Sequence, residues 1–375
     1  MPKNFCALPF HHIAVQSHGI YNVCCQHVIP PELQLNIKTS DPDDWTGSQY
    51  VHKVQQHFLQ DKRHPGCSSC WDHEDQKFTS MRQRVTKEYT ILGIDTANPS
   101  IKNAEINLGN LCNLKCLMCQ ERESSSILAE NVRLGINILN QQDLKWNETA
   151  HANAKKIIQS QPRVLNIRGG EPFYNKDLLS LVRDIPDQQA RQMMLHITTN
   201  ATIGNKAWQE ALSRFRSVRM MFSVDATNEL YEYMRFPGTW SETSSNIQQI
   251  IKLPNVNGMI HCVVQNLNIA RLQSVIDWSM QCGVHLEFDL LWKPNYLEIV
   301  NLPPFLKQQA ILSVQSLLSN NYPKPILDFL AKCHTILLES QQQDNTQLWQ
   351  EFKKQIEPRD QLRGNSYTQF LRDLQ

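Results

Sequence analysis

From residue 101 onward, short apolar runs alternate with amphipathic segments, and this alternation restricts the chain to an architecture of parallel β/α units. Strand candidates recur at 104–108, 164–167, 193–198, 218–224, 259–264 and 286–291. Helix candidates at 177–183, 206–215, 244–251 and 270–281 separate the later pairs. Six strands of this kind predict an α/β fold built on an incomplete barrel of the TIM type. The longer connection between the first two strands carries Ile127, Leu128, Val132, Leu134 and Ile138 at helical spacing, which predicts two helices over 121–160. Beyond residue 303 the chain reads as helical, with Gln-rich patches such as Gln341-Gln342-Gln343.

The 375 residues suffice for a barrel plus a smaller module. Lysine and arginine total 37 against 36 acidic residues, so the net charge of +1 supplies no field to draw in nucleic acid. No run approaches the roughly 18 apolar residues of a membrane span, and the start, Met1-Pro2-Lys3-Asn4-Phe5-Cys6, has no secretory core. The expectation is a soluble cytoplasmic protein with neither nucleic-acid nor membrane partners. In that reducing setting, eleven cysteines, clustered mostly before residue 120, point to metal rather than disulfides.

Cys112, Cys116 and Cys119, spaced CxxxCxxC, follow the first strand and so fall on the first βα loop, at the face where such barrels place their active sites. Three thiolates can hold three irons of a four-iron cluster and leave the fourth open. A structural or electron-transfer site would use a full ligand set, yet no further cysteine occurs before Cys262. The competing reading is a zinc knuckle that borrows a distant histidine or Cys262. A second motif, Gly169-Gly170-Glu171-Pro172, follows the second strand, and its two glycines let backbone approach a ligand without a Cβ in the way.

These motifs, in this order, resemble the radical S-adenosylmethionine (radical SAM) enzymes over about residues 100–295. The resemblance implies a partial (β/α)6 barrel and a 4Fe-4S cluster whose free iron chelates S-adenosylmethionine. It further implies one-electron cleavage of the sulfonium to a 5'-deoxyadenosyl radical. The cofactors carry the chemistry and the protein orients them. By the same resemblance Gly169, Gly170, Glu171 and Pro172 receive the cofactor's methionine ammonium. Asn200 closes the third strand, while Ser223 and Asp225 close the fourth and match the serine and acid that touch ribose and methionyl groups. Arg235, in Tyr231-Glu232-Tyr233-Met234-Arg235-Phe236-Pro237-Gly238, is implied to pair with the methionine carboxylate, and Asn266 follows the fifth strand. One departure is Met118, where the family often has an aromatic residue; a polarizable thioether can still pack on an adenine face.

The segment before residue 95 differs in character, holding Cys6, Cys24, Cys25, Cys67, Cys70 and eight of the thirteen histidines. His12 to Gln16, a turn through Gly19, and Ile20 to Cys24 predict a hairpin, and a helix is expected over 48–60. Cys6-Ala7-Leu8-Pro9-Phe10, the Cys24-Cys25 pair and Cys67-Ser68-Ser69-Cys70 resemble the twitch type of auxiliary-cluster domain, a shortened relative of the SPASM domain. The resemblance implies a second, auxiliary 4Fe-4S cluster on Cys6, Cys24, Cys67 and Cys70, although spacing does not choose between Cys24 and Cys25. Such modules usually follow the barrel, whereas this one precedes it. A zinc site from Cys67, Cys70 and two residues among Cys6, Cys24, His11 and His12 is the alternative. His52, His57, His64 and His73 are expected on solvated faces or as caps, and Cys262, Cys282 and Cys333 as small buried hydrophobes.

The organisation expected is an auxiliary module at 1–95, a radical SAM barrel at 100–295 and a helical extension at 296–375. The function expected is hydrogen-atom abstraction from a substrate after cleavage of S-adenosylmethionine, with electrons from a reductant such as flavodoxin or ferredoxin. A peptide or protein is the first substrate class implied; a small molecule or nucleotide is the alternative. A non-catalytic cluster- or zinc-binding protein is the reading from another class, and it leaves the GGEP motif and Arg235 without a purpose.

Overall fold

A computed structural model describes residues 2–75, 77, 79–91, 93, 99–136 and 144–372. The chain forms two compact units. One comprises Met1–Cys112, Leu139–Ile197 and Glu210–Val218; the other comprises Asn113–Ile138, Thr198–Gln209 and Arg219–Gln375. Among the described residues there are eight strands: β1 (His12–Val15), β2 (Tyr21–Asn22), β3 (Asn103–Asn107), β4 (Val164–Arg168), β5 (Met194–Thr199), β6 (Ser217–Ser223), β7 (Val256–Val264) and β8 (His285–Leu290). Their order in the sheet is β2-β1-β3-β4-β5-β6-β7-β8. The six strands expected from the sequence are β3 to β8, and the fold is the α/β partial barrel with a helical carboxy-terminal region.

In the first unit, β3 pairs in parallel with β4, and β4 with β5, in the register Glu105↔Asn166↔His196. Alternation explains which face each strand buries: along β5, Leu195, Ile197 and Thr199 are buried while Met194, His196 and Thr198 are half-buried. The amino-terminal hairpin forms as β1 and β2, antiparallel, but β1 also pairs in parallel with β3 and so extends the barrel sheet. Around it, Phe5, Leu8, Phe10, Phe58 and Trp71 build an apolar cluster that encloses Cys6 and Cys24. The helix Gln49–Leu59 starts where Ser48 accepts a hydrogen bond from the Val51 amide. Of the two helices expected over 121–160, Glu148–Gln159 lies in this unit, capped by Asn147.

In the second unit, β7 and β8 are parallel. The other expected helix, Ser125–Arg133, belongs here; Ser124 caps it through the Ile127 amide and donates its hydroxyl to the Leu114 carbonyl. Ile138, expected on that helical face, lies outside the described residues. The tail comprises Pro304–Leu318, Lys324–Glu339, Thr346–Arg363 and Thr368–Arg372. Cys262 and Cys333 are buried as expected, whereas Cys282 is only half-buried because it ends the helix Leu272–Cys282 at the surface. Among the described residues, no helix is long and apolar enough to cross a membrane.

Candidate cluster and cofactor sites

The loop that follows β3 carries all three motif cysteines, and each half of it is bound to a different motif. In the first unit, Glu171 donates its amide to the Leu111 carbonyl at 2.9 Å, immediately before Cys112. The two glycines make this approach possible. Gly169 has φ +93 and a Cβ there would lie 1.6 Å from Asn107 Oδ1; Gly170 has φ +49 and a Cβ would lie 2.2 Å from the Leu111 carbonyl oxygen. Glu171 is buried and its carboxylate accepts from the Phe173 amide, capping the short turn that begins at Pro172. Cys112 itself is buried.

In the second unit, the loop continues through Asn113, whose Oδ1 accepts from Asn200 Nδ2 at 3.1 Å and whose Nδ2 donates to Thr202 Oγ1. Asn200 thus reaches the cysteine loop from the end of β5. Lys115 donates its amide to the Phe236 carbonyl at 2.6 Å, and Leu117 donates to Met234, so the loop runs along the segment that bears Arg235. The Arg235 guanidinium donates Nε and Nη2 to Asp225 Oδ2 at 2.8 and 2.7 Å and Nη1 to Cys116 Sγ at 3.8 Å. Both partners are buried. Asp225 Oδ1 also accepts the Val263 amide, and its carbonyl accepts from Asn268. The arginine implied to meet a cofactor carboxylate is therefore held within the chain by Asp225 and one cysteine thiol. Burial pushes the Cys116 thiol up from its ordinary range; Arg235 acts against that shift, Asp225 adds to it, and Arg363 opposes it more weakly.

Cys119 and Met118 are half-buried, and Ser223 is half-buried at the end of β6. Asn266 is buried and donates to the Tyr296 carbonyl.

The auxiliary cysteines converge in the first unit: Cys6, Cys24, Cys67 and Cys70 line one cavity with His27 and Arg82. Cys24 lines it, while the Cys25 thiol contacts Met81 Sδ at 3.8 Å. Burial raises the thiols of Cys6, Cys24 and Cys67. Arg82 is spent on Glu74, at 2.6 Å, and on the Phe5 carbonyl. Beside the cavity, His27 Nδ1 lies 3.3 Å from Cys67 Sγ and its Nε2 meets the Tyr50 hydroxyl at 2.7 Å. His64 caps Gly66 as expected of it but is buried rather than solvated, because His27, Tyr50 and His57 enclose its ring. Burial, followed by a neighbouring histidine, lowers both His27 and His64 to about 4.

A single tetrahedral zinc held by thiolates brings its sulfurs within roughly 4 Å of one another. Among the described residues, the group that brings three ligand atoms within 4.8 Å is His27, His64 and Cys67, not three of the four cavity thiols. His11 and His12, offered as zinc ligands, bond to the carbonyls of Ser100 and Val23 through Nδ1.

Two groups were not visible in the sequence. Glu105, Asn166 and His196 form a row across β3, β4 and β5, with His196 Nδ1 3.0 Å from Asn166 Oδ1 and Arg168 3.8 Å from Glu105. Polar residues alternating with apolar ones along these strands were the available signal. In the second unit, Glu130 binds Arg359 and Arg363 of the helix Thr346–Arg363. No local pattern announces contacts so distant in sequence.

Residues 106–278 match the Radical SAM superfamily model. A probable GTP 3',8-cyclase of Sulfurisphaera tokodaii is 24% identical over 194 residues, covering 51% of this chain and 56% of the relative. A second, from Methanococcus maripaludis, is 22% identical over 218 residues, 58% of this chain and 65% of the relative. The alignments thus span less than two thirds of these relatives. Among solved structures, Streptococcus suis SuiB bound to precursor peptide SuiA is similar with a TM-score of 0.41 at 14% identity, covering 82% of this chain and 68% of SuiB. Residues 106–278 are a radical SAM domain.

Proposed function

We propose that Cys112, Cys116 and Cys119 hold a 4Fe-4S cluster and that S-adenosylmethionine binds its open iron against Gly169, Gly170, Glu171 and Pro172. When bound, the cluster would supply the one electron that cleaves S-adenosylmethionine for hydrogen-atom abstraction from a substrate, and these residues would hold and orient both groups. The observation that carries this reading is the backbone bond from Glu171 to Leu111, which fastens the glycine motif to the residue preceding Cys112. Asn200, Met118, Ser223 and the Asp225–Arg235 pair complete the proposed surroundings. Here Arg235 orients the Cys116 corner, and Asp225 keeps that guanidinium aimed.

Of the two substrate classes, the nucleotide or small molecule is preferred to the peptide. The curated relatives are named GTP cyclases, and the Glu105, Asn166 and His196 row offers hydrogen-bonding groups suited to a polar heterocycle. In the amino-terminal segment, 1–95, Cys6, Cys24, Cys67 and Cys70 hold the auxiliary 4Fe-4S cluster; the barrel occupies 100–295 and the tail 296–375. Flavodoxin or ferredoxin supplies electrons, in a reducing compartment such as the cytoplasm.

The test is anaerobic reconstitution with iron and sulfide, then dithionite and S-adenosylmethionine. 5'-Deoxyadenosine should form, and purine nucleoside triphosphates should raise its yield more than a peptide library does. Well-loaded protein that forms none would refute the enzyme assignment to this loop; stimulation by peptides alone would restore the peptide class.

A further inference from the structure

The helix Thr346–Arg363 lies outside every motif, yet it grips the cysteine loop. Arg363 donates Nε to Glu130 Oε1 at 2.8 Å and Nη2 to Oε2 at 2.6 Å, while Arg359 donates Nη1 to Oε2 at 2.7 Å. The Glu130 and Arg363 side chains are 0% and 1% exposed. Arg363 Nη2 makes one more bond, to the Lys115 carbonyl at 2.9 Å. That carbonyl belongs to the peptide unit leading into Cys116.

The residue before Cys116 is thus held twice, its amide by the Phe236 carbonyl and its carbonyl by Arg363. The Phe236 ring reinforces this, with Arg363 Cζ 5.4 Å and Lys115 Nζ 5.6 Å from its centroid. Arg363 Nη1 is buried with no hydrogen-bond partner among the described residues. A guanidinium cannot shed its proton to escape such burial, so its charge is a permanent feature of the loop's surroundings. The nearby Asp360 carboxylate accepts from the Tyr233 hydroxyl and the Tyr367 amide, which ties the same helix to the segment preceding Arg235.

We propose that Arg363 is a positioning residue of the radical SAM site, holding the peptide before Cys116 and raising the reduction potential of the cluster there. A reduced cluster carries one more negative charge than an oxidised one, so a fixed cation beside its ligand favours reduction. Hydrogen bonding and charge around ligands tune such centres generally. The proposal rests on the reading of Cys116 as a cluster ligand.

The test is an EPR-monitored redox titration of the full reconstituted chain, following the signal that changes when S-adenosylmethionine is added. Arg363→Gln should move its midpoint to more negative potential, Arg363→Lys should return it toward the wild type, and Arg359→Gln, which touches Glu130 but not Lys115, should leave it in place. A wild-type midpoint in Arg363→Gln overturns the proposal. Should the glutamine variant hold no cluster, Arg363→Lys decides: a wild-type midpoint upholds the charge assignment, and loss of its cluster too, with Arg359→Gln still loaded, reduces Arg363 to a folding role. If the wild type shows no signal responsive to S-adenosylmethionine, the Cys116 reading itself fails.

Discussion

The two cysteine groups differ less in their thiols than in the charges around them. In the amino-terminal cavity four thiols share one cation, Arg82, and Glu74 already neutralises it. On the loop after β3 there are three thiols, and Cys116 feels both Arg235 and Arg363. Arg235 is paired with Asp225 as Arg82 is with Glu74, but Glu130 is shared by Arg359 and Arg363, which leaves one positive charge in excess beside the loop. On the proposed reading the four-thiol site holds a closed cluster and the three-thiol loop a centre that keeps a corner for a ligand. Position in the chain distinguishes them too, since only the second follows a core strand of the radical SAM domain.

The largest expected effects come from removing thiols. Cys116→Ala should abolish 5'-deoxyadenosine formation and remove about four irons per chain, the content of one cluster, measured by iron assay and chromatography. Cys67→Ala with Cys70→Ala should remove a similar number while cleavage of S-adenosylmethionine persists. Unchanged iron there would refute the auxiliary assignment and erase the contrast.

Next come changes that leave the thiols alone. Arg235→Ala leaves Asp225 buried without its partner, which costs about 3–5 kcal/mol and should appear in denaturant melts as a loss far exceeding that of a surface arginine. Gly170→Ala sets a methyl against the Leu111 carbonyl at a positive φ. Strain of about 1–3 kcal/mol should weaken S-adenosylmethionine binding by tenfold or more in equilibrium dialysis, with auxiliary iron retained.

The smallest effect is a difference in acid sensitivity of the metal-free protein. His27 and His64 are held neutral, with folded values of about 4 against 6.5, so the stability they contribute is present above pH 6.5 and lost as pH falls toward 4. Burial raises Glu130, but Arg363 and Arg359 outweigh it and hold the carboxyl below 4.5, so its contribution survives until pH falls beneath that value. Hydrogen exchange between pH 6.5 and 5 should therefore loosen the amino-terminal segment before the helix Thr346–Arg363. Equal loosening of both would contradict this.

Much of this arrangement could be read from local pattern. Strands β3 to β8 announce themselves through alternation, and the cysteine spacing and the GGEP tetrapeptide are short and contiguous. The paired role of Asp225 and Arg235 was less legible, because each was matched to a cofactor group and nothing in either motif says that they meet. The Glu130, Arg359 and Arg363 network was invisible, since it joins positions 229 and 233 residues apart through a helix with no chemical motif. The joining of β1 to β3 was hidden for a similar reason: a four-residue strand shows a hairpin turn in its sequence but not the neighbour on its other edge.

The central claim is that the loop of Cys112, Cys116 and Cys119 carries the open iron and the amino-terminal cavity a closed site. It is tested most directly by adding S-adenosylmethionine to the reduced, reconstituted Cys67→Ala, Cys70→Ala variant and recording its EPR spectrum. The remaining cluster signal should shift on addition, as one of two signals does in the wild type. A remaining signal indifferent to S-adenosylmethionine, with the responsive one lost alongside Cys67 and Cys70, would contradict it.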